Sequence, residues 1–181
     1  MQDAQWLREM LSLELEVRPP RSLKAEQRYL SGNVATLRND GSLIGYTDIR
    51  NYGKAAEITT FIIDPKFRGK GNSKKLILKA IESTPHKIIL SCTRNPKMAA
   101  ALEGCGFEIT HWPGLKEYIL LTINTIKRVF SMIIRLEFKR LWVQAKGFTK
   151  YKIYKYHREF ELEENGEELK TIPKHPEKQL N

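Results

Sequence analysis

Cysteine is scarce in this chain: Cys92 and Cys105 are the only two in 181 residues, and they stand in unrelated contexts. That removes disulfide frameworks and cysteine-based zinc patterns from consideration, and no metal site is expected. Long apolar runs are also missing. No stretch reaches the roughly 20 residues of a membrane span, and the amino end lacks the apolar core of a signal peptide. A reducing, cytoplasmic setting is therefore expected. Acidic side chains are outnumbered, 21 against 31 basic, for a formal charge of +10 and a pI near 9.6. The excess is uneven. Residues 126–146 hold six basic and one acidic side chain and so carry +5, whereas residues 147–181 hold seven of each. Such a block suits nucleic acid, anionic lipid or an acidic partner, or is a solvated face with no specific partner.

With 41% hydrophobic and 29% charged residues, the chain is long enough for one domain with a real core plus an extension. Residues 3–13 read as a helix with Trp6, Met10 and Leu13 on one side, and residues 13–17 as a strand stopped by Pro19-Pro20. Ser22 resembles an N-cap for a helix through Leu30. Strand-like runs at 33–38 and 43–51 flank Asn39-Asp40-Gly41, a strong hairpin signal. A third run occupies 55–63. Residues 88–92 read as a buried strand, and Asn95-Pro96 as cap and first position of a helix through Glu103, closed by Gly104 and Gly106. Residues 107–111 and 117–124 read as two last strands. This order predicts a mixed α/β, or α+β, domain over 1–124.

The densest information lies in residues 62–81, where an apolar strand passes through Pro65 and a glycine loop into an amphipathic helix. Gly69 and Gly71 admit backbone conformations closed to other residues and expose successive N–H groups. With the helix start near Asn72 they form a candidate anion nest, and Arg68, Lys70, Lys74 and Lys75 add positive charge. By itself a GxG turn is more often an ordinary strand–turn–helix connection. The Gly-x4-Gly-Lys-Ser/Thr pattern of a nucleotide P-loop is absent, as is the third glycine of a dinucleotide fingerprint.

Ala56-Glu57-Ile58, Ile63, Pro65 and the run Arg68-Gly69-Lys70-Gly71-Asn72-Ser73 together resemble the GNAT superfamily of N-acetyltransferases. That family's Arg/Gln-x-x-Gly-x-Gly/Ala signature is matched by Arg68 and Gly71, and imperfectly by Ser73. Downstream, Asn95, Ala99, Gly106 and Phe107 resemble its second segment, in the order and spacing of the family. The resemblance covers roughly residues 33–124. It implies a mostly antiparallel sheet flanked by helices, with acetyl-CoA lying between two splayed parallel strands at 55–63 and 88–92. Backbone N–H groups of residues 68–73 would hold the pyrophosphate, Ile63 would pair with the pantetheine arm, and Asn95 would contact the cofactor.

The implied reaction moves an acetyl group to an amine of unknown identity, on a small molecule or a protein. It requires a base for the ammonium and commonly an acid for the departing thiolate. Glu57 matches a strand glutamate that some members use as base through water; its other reading is a structural partner of a nearby cation. Three departures stand out. The tyrosine common four residues before the Gly-Phe glycine is Leu102 here, Ser73 stands in place of a glycine or alanine, and the amino end is short and irregular. Cys105 lies near in sequence, Cys92 ends a strand and Tyr118 lies on a later one, and each reads rather as a packing residue. The leading expectation is an acetyl-CoA-dependent N-acetyltransferase. The alternative is a catalytically weakened GNAT-like assembly module, of the kind some virus-encoded proteins represent, with its cleft filled by its own side chains.

Residues 125–162 read as a basic helix-and-strand extension. Ile126, Val129, Phe130, Ile133 and Leu136 form an apolar stripe, widened by Ile134, Phe138, Leu141 and Trp142 and interleaved with Lys127, Arg128, Arg135, Lys139 and Arg140. Docking onto its own domain or a second copy, a partner protein's groove, and a membrane surface all fit that pattern. Residues 148–162 alternate, with Tyr154, Tyr156, Phe160 and Leu162 on one side, as an added strand would. Lysines among these tyrosines also suit nucleic acid, although tyrosine-rich strands are more often core. Residues 163–181 read as a flexible polar tail.

Overall fold

The computed structural model describes residues 1–111, 115–146 and 150–158. Helices α1 (Gln2–Leu13) and α2 (Leu23–Leu30) precede a meander of β1 (Val34–Asn39), β2 (Ser42–Tyr52) and β3 (Ala55–Ile63). A single 3-10 turn (Pro65–Phe67) leads to α3 (Asn72–Glu82), then β4 (Ile88–Thr93), α4 (Pro96–Glu103) and β5 (Glu108–Thr110). Helices α5 (Leu115–Ile134) and α6 (Phe138–Ala145) separate β5 from the last strand, β6 (Lys152–His157). One six-stranded sheet results, in the order β1-β2-β3-β4-β6-β5, and only the β3–β4 pair is parallel.

Local chemistry explains the turns and caps. Asp40 and Gly41 both take positive φ, +48° and +78°, as the β1–β2 hairpin turn requires. Ser22 accepts from the Ala25 N–H at 3.3 Å, and Asn95 Oδ1 from the Lys97 N–H at 3.0 Å, each capping its helix. One face of the sheet packs Ala56, Ile58 and Ile89 against Leu76, Ile77 and Ala80 of α3, with Leu102 of α4 and Phe107. The opposite face packs Tyr46 and Ile62 against Leu7 and Leu11 of α1.

Three expectations change. The buried stripe of α1 is Ala4, Leu7 and Leu11, with Trp6 and Met10 only partly covered and Leu13 exposed. Leu13 ends α1, and residues 15–17 turn and bend instead of forming a strand. Residues 117–124 are helical, part of α5, because Ile119, Ile123, Ile126, Phe130 and Ile133 recur every three to four residues, a helical period. The added strand expected within 148–162 forms as β6, which pairs antiparallel with β4 from Ile88↔His157 to Thr93↔Lys152, and β5 takes the outer edge. Tyr154 enters the core and Tyr156 lies on Phe107, ring centroids 5.3 Å apart. The Tyr118 side chain, Phe148, the Phe160–Leu162 end of the alternating run and the 163–181 tail lie outside the described residues. Among those described, no helix is long and apolar enough to cross a membrane.

Candidate active site

Strands β3 and β4 share register for only four pairs, Ala55↔Ile88 to Ile58↔Ser91, although β3 continues to Ile63 and β4 to Thr93. Beyond Ile58 they diverge. A bulge causes part of this: the β2 register jumps from Asp48↔Thr59 to Tyr46↔Ile62, and Thr60 takes a φ of +53°. An extra residue on one strand bends it away from its neighbour. The carbonyls at the fork are held by side chains, Ser91 Oγ donating to Ile58 O at 3.1 Å and Thr47 Oγ1 to Thr59 O at 2.8 Å.

The glycine loop follows directly. Asp64 caps the 3-10 turn through the Lys66 N–H and accepts from Trp6 Nε1 at 3.2 Å, so α1 is tied to its base. Gly69 and Gly71 adopt φ of +75° and +74°, with open space where a Cβ would stand. Strain, not crowding, makes glycine the fitting residue there. Asn72 Nδ2 donates to Phe67 O at 2.9 Å and draws the loop closed. Helix α3 has no side-chain cap, and among the described residues the N–H groups of 69–74 have no acceptor. Lys70, Lys74 and Lys75 stand exposed around them. This is a fitting receptor for a pyrophosphate-like anion.

Arg68 is placed differently from a ligand-facing cation. Its Nε donates to Ile63 O at 2.9 Å and its Nη2 pairs with Glu14. The side chain therefore bolts the loop to β3 and to the end of α1, leaving its backbone to face a ligand; the Ile63 carbonyl is engaged by it. Asn95 likewise spends its side-chain oxygen on capping α4. Ser73 sits partly buried in the first turn of α3.

Glu57 lies one residue before the fork, on the face opposite α3, and is buried. It accepts from Tyr52 Oη at 2.7 Å and stands across the hairpin from Arg50. Burial opposes the Arg50 charge, but the carboxylates of Glu57 and Asp48 outweigh it and hold its pKa above the ordinary value. For Tyr52, burial first and the Glu57 charge second push the phenol up, so it stays a donor. The sequence reading overlooked Tyr52 and Arg50. A signal existed: Gly53-Lys54 makes a two-residue turn with glycine first, and such a turn sets Arg50 opposite Glu57.

Leu102 is fully buried in the α3–α4 core. Cys105 is buried too, its thiol pushed up to about 11 by burial. Neither is placed to deliver a proton. Cys92 lies at the diverging end of β4, half-buried, opposite Ile153.

Helix α6 docks on the turn after α1. Arg140 Nη2 donates to Leu11 O at 2.9 Å, its Nη1 to Val17 O at 3.0 Å, and Gln144 Nε2 to Leu15 O at 2.9 Å. Arg94, just past β4, bridges Glu16 at 3.0 Å and Val143 O at 2.9 Å. Between these parts lies a cavity of about 600 Å³, bounded by Arg94, Asn95, Trp142, Lys146 and Lys150.

The sequence profile of the acetyltransferase (GNAT) family matches residues 4–107, and the chain belongs to that family. No curated protein sequence matches it. Among solved structures it is similar to N-acetylglutamate synthase from Neisseria gonorrhoeae, complexed with coenzyme A and N-acetyl-glutamate, at 16% identity and a TM-score of 0.53. That match covers 87% of this chain and only 33% of the synthase. Rv2747 from Mycobacterium tuberculosis, in complex with CoA and NLQ, is similar at 13% identity and TM-score 0.53, over 86% of this chain and 93% of that one. A phosphinothricin acetyltransferase from Sinorhizobium meliloti, in complex with AcCoA, gives 17% identity and TM-score 0.51, over 60% and 71%. At these identities the likeness is one of fold.

Proposed function

We propose that the protein is an N-acetyltransferase that takes acetyl from acetyl-CoA and delivers it to an amine. The observation that carries this is the fork between β3 and β4 opening directly beside a loop whose N–H groups at 69–74 have no acceptor among the described residues. Solved structures of the same fold contain acetyl-CoA or CoA. In this reading the N–H groups of residues 69–74 hold the pyrophosphate, and the diverging backbones of β3 and β4 receive the pantetheine arm. Bound acetyl-CoA supplies a thioester whose acetyl carbon is open to attack by an amine. Glu57 takes the proton of the acceptor ammonium, through water, as a buried strand carboxylate one residue before the fork. Tyr52 fixes the orientation of that carboxylate and compensates its burial. As the C–N bond forms the C–S bond breaks, and because Leu102 has no proton to give, CoA leaves as a thiolate that takes its proton from solvent. No observation favours the weakened assembly module.

Calorimetric titration with acetyl-CoA tests this reading. Micromolar binding is expected from the natural chain and none from Gly71→Glu, whose carboxylate would lie in the anion loop. A folded protein that fails to bind acetyl-CoA overturns it.

A further inference from the structure

We propose that the outward face of α5 and α6 is a docking surface for an anionic lipid membrane. Of the fourteen large apolar side chains exposed among the described residues, nine fall between Ile119 and Trp142. They are not scattered. Ile119, Ile123, Ile126, Phe130 and Ile133 follow one another at intervals of four and three along α5, which puts them on a single stripe. Ile126 and Phe130, at its middle, are 62% and 63% exposed, whereas Met132, pointing elsewhere on the helix, is fully buried. Exposed apolar residues continue through Ile134 and Leu136 into Phe138 and Trp142 of α6.

Helix α6 shows that the fold has already chosen which side to bury. Its inward contacts are polar: Arg140 and Gln144 seize the carbonyls of residues 11–17, while Phe138 and Trp142 are left in water. An ordinary surface helix does the reverse. A contiguous apolar face of this kind is costly in water and marks an interaction surface.

Charge identifies the occupant. Residues 126–146 carry six basic side chains and one acidic, and that one, Glu137, is already paired with Arg140 at 3.5 Å. Arg135, Lys139 and Lys146 are exposed beside the apolar side chains. A second copy of the chain would bring +5 against +5. An anionic bilayer complements that charge and takes up isoleucine, phenylalanine and tryptophan side chains at its interface. The apolar band also widens beyond a two-residue seam, as an interfacial helix requires and a paired coiled coil does not.

The test is co-sedimentation of the full chain with vesicles of phosphatidylcholine, with and without phosphatidylserine. Binding at least about tenfold stronger to the phosphatidylserine vesicles is expected, falling as salt is raised. Ile126→Glu and Phe130→Glu should abolish it while far-ultraviolet circular dichroism and the melting temperature stay unchanged, because both side chains are exposed. Lys139→Glu should weaken it. A folded natural chain that does not pellet with anionic vesicles overturns the proposal, as does equal pelleting of the glutamate variants. Vesicle-free dimerisation that Phe130→Glu abolishes, with no lipid binding, assigns the face to a second copy instead and also overturns it.

Discussion

Tyr52 and Glu57 flank the same two-residue turn, and the phenol donates to the carboxylate at 2.7 Å, one residue before β3 and β4 part. A buried carboxylate is thereby oriented by a group that cannot readily lose its proton, since burial and the Glu57 charge both push the phenol up. Only four residues of chain lie between the two, so the pair depends on little else in the fold.

Removing the carboxylate should separate binding from chemistry. Glu57→Gln is expected to lower kcat by about 10²–10⁴-fold, the span of a general base. Its acetyl-CoA affinity, measured by calorimetry, should match the natural chain. Tyr52→Phe should lower kcat by about tenfold, as loss of one hydrogen bond to a charged group predicts, with KM for acetyl-CoA unchanged. Steady-state kinetics on both variants check the pair. An unchanged kcat in Glu57→Gln would reduce the residue to a partner of Arg50.

The buried Arg18–Glu26 pair should make stability fall in acid. Arg18 reaches both carboxylate oxygens, at 2.8 and 2.7 Å, and the Arg21 N–H adds a third bond at 2.7 Å. Burial raises the Glu26 pKa, but these bonds and the Arg18 charge outweigh it and leave it below the ordinary value. A carboxyl lowered on folding contributes fully above its unfolded pKa and loses that contribution as pH falls through the folded one. Melting temperature should therefore drop below the ordinary carboxylate range, and less steeply in Glu26→Gln. Arg18→Met strands Glu26 and Asp48 in the interior and should cost about 3–5 kcal/mol. Denaturant titration reads that loss.

Arg140 holds α6 by donating to backbone carbonyls of α1 and the turn after it. Arg140→Ala should therefore release α6 before the sheet unfolds, at a cost of about 2–3 kcal/mol. Lysine should not rescue it, since a single ammonium lacks the guanidinium's planar spread of donors. Limited proteolysis is the direct readout: cleavage near residue 147 should speed up in both variants. Equal cleavage rates would mean that Gln144 and Arg94 suffice.

The parts of the site legible in the sequence are those whose physics is local. Gly69 and Gly71 mark a left-handed loop ahead of a helix, and both do carry positive φ. Asn39-Asp40-Gly41 and Asn95-Pro96 behave as their short-range chemistry dictates. Arg68 was legible as a residue of the loop but not in its role, because its partners, Ile63 O and Glu14, come from β3 and α1. The strand expected at 117–124 failed for a different reason. A window of eight residues admits either period, and only the longer series from Ile119 to Ile133 resolves it as helical.

By itself, the sequence determined the family, the left-handed glycine loop and, apart from the strand expected at 13–17, the order of the elements from α1 to β5, since each rests on turns, caps and periodicities spanning a few residues. Tertiary structure alone decided that β6 enters between β4 and β5, that Arg140 and Gln144 turn inward while Phe138 and Trp142 face water, and that Arg18, Glu26 and Asp48 meet in the interior. Those outcomes depend on which distant edge or carbonyl is left unsatisfied once the sheet has formed. Backbone groups at the edge of β4 and after α1 had to find partners, and residues far later in the chain, from Lys152 to His157 and at Arg140, supplied them.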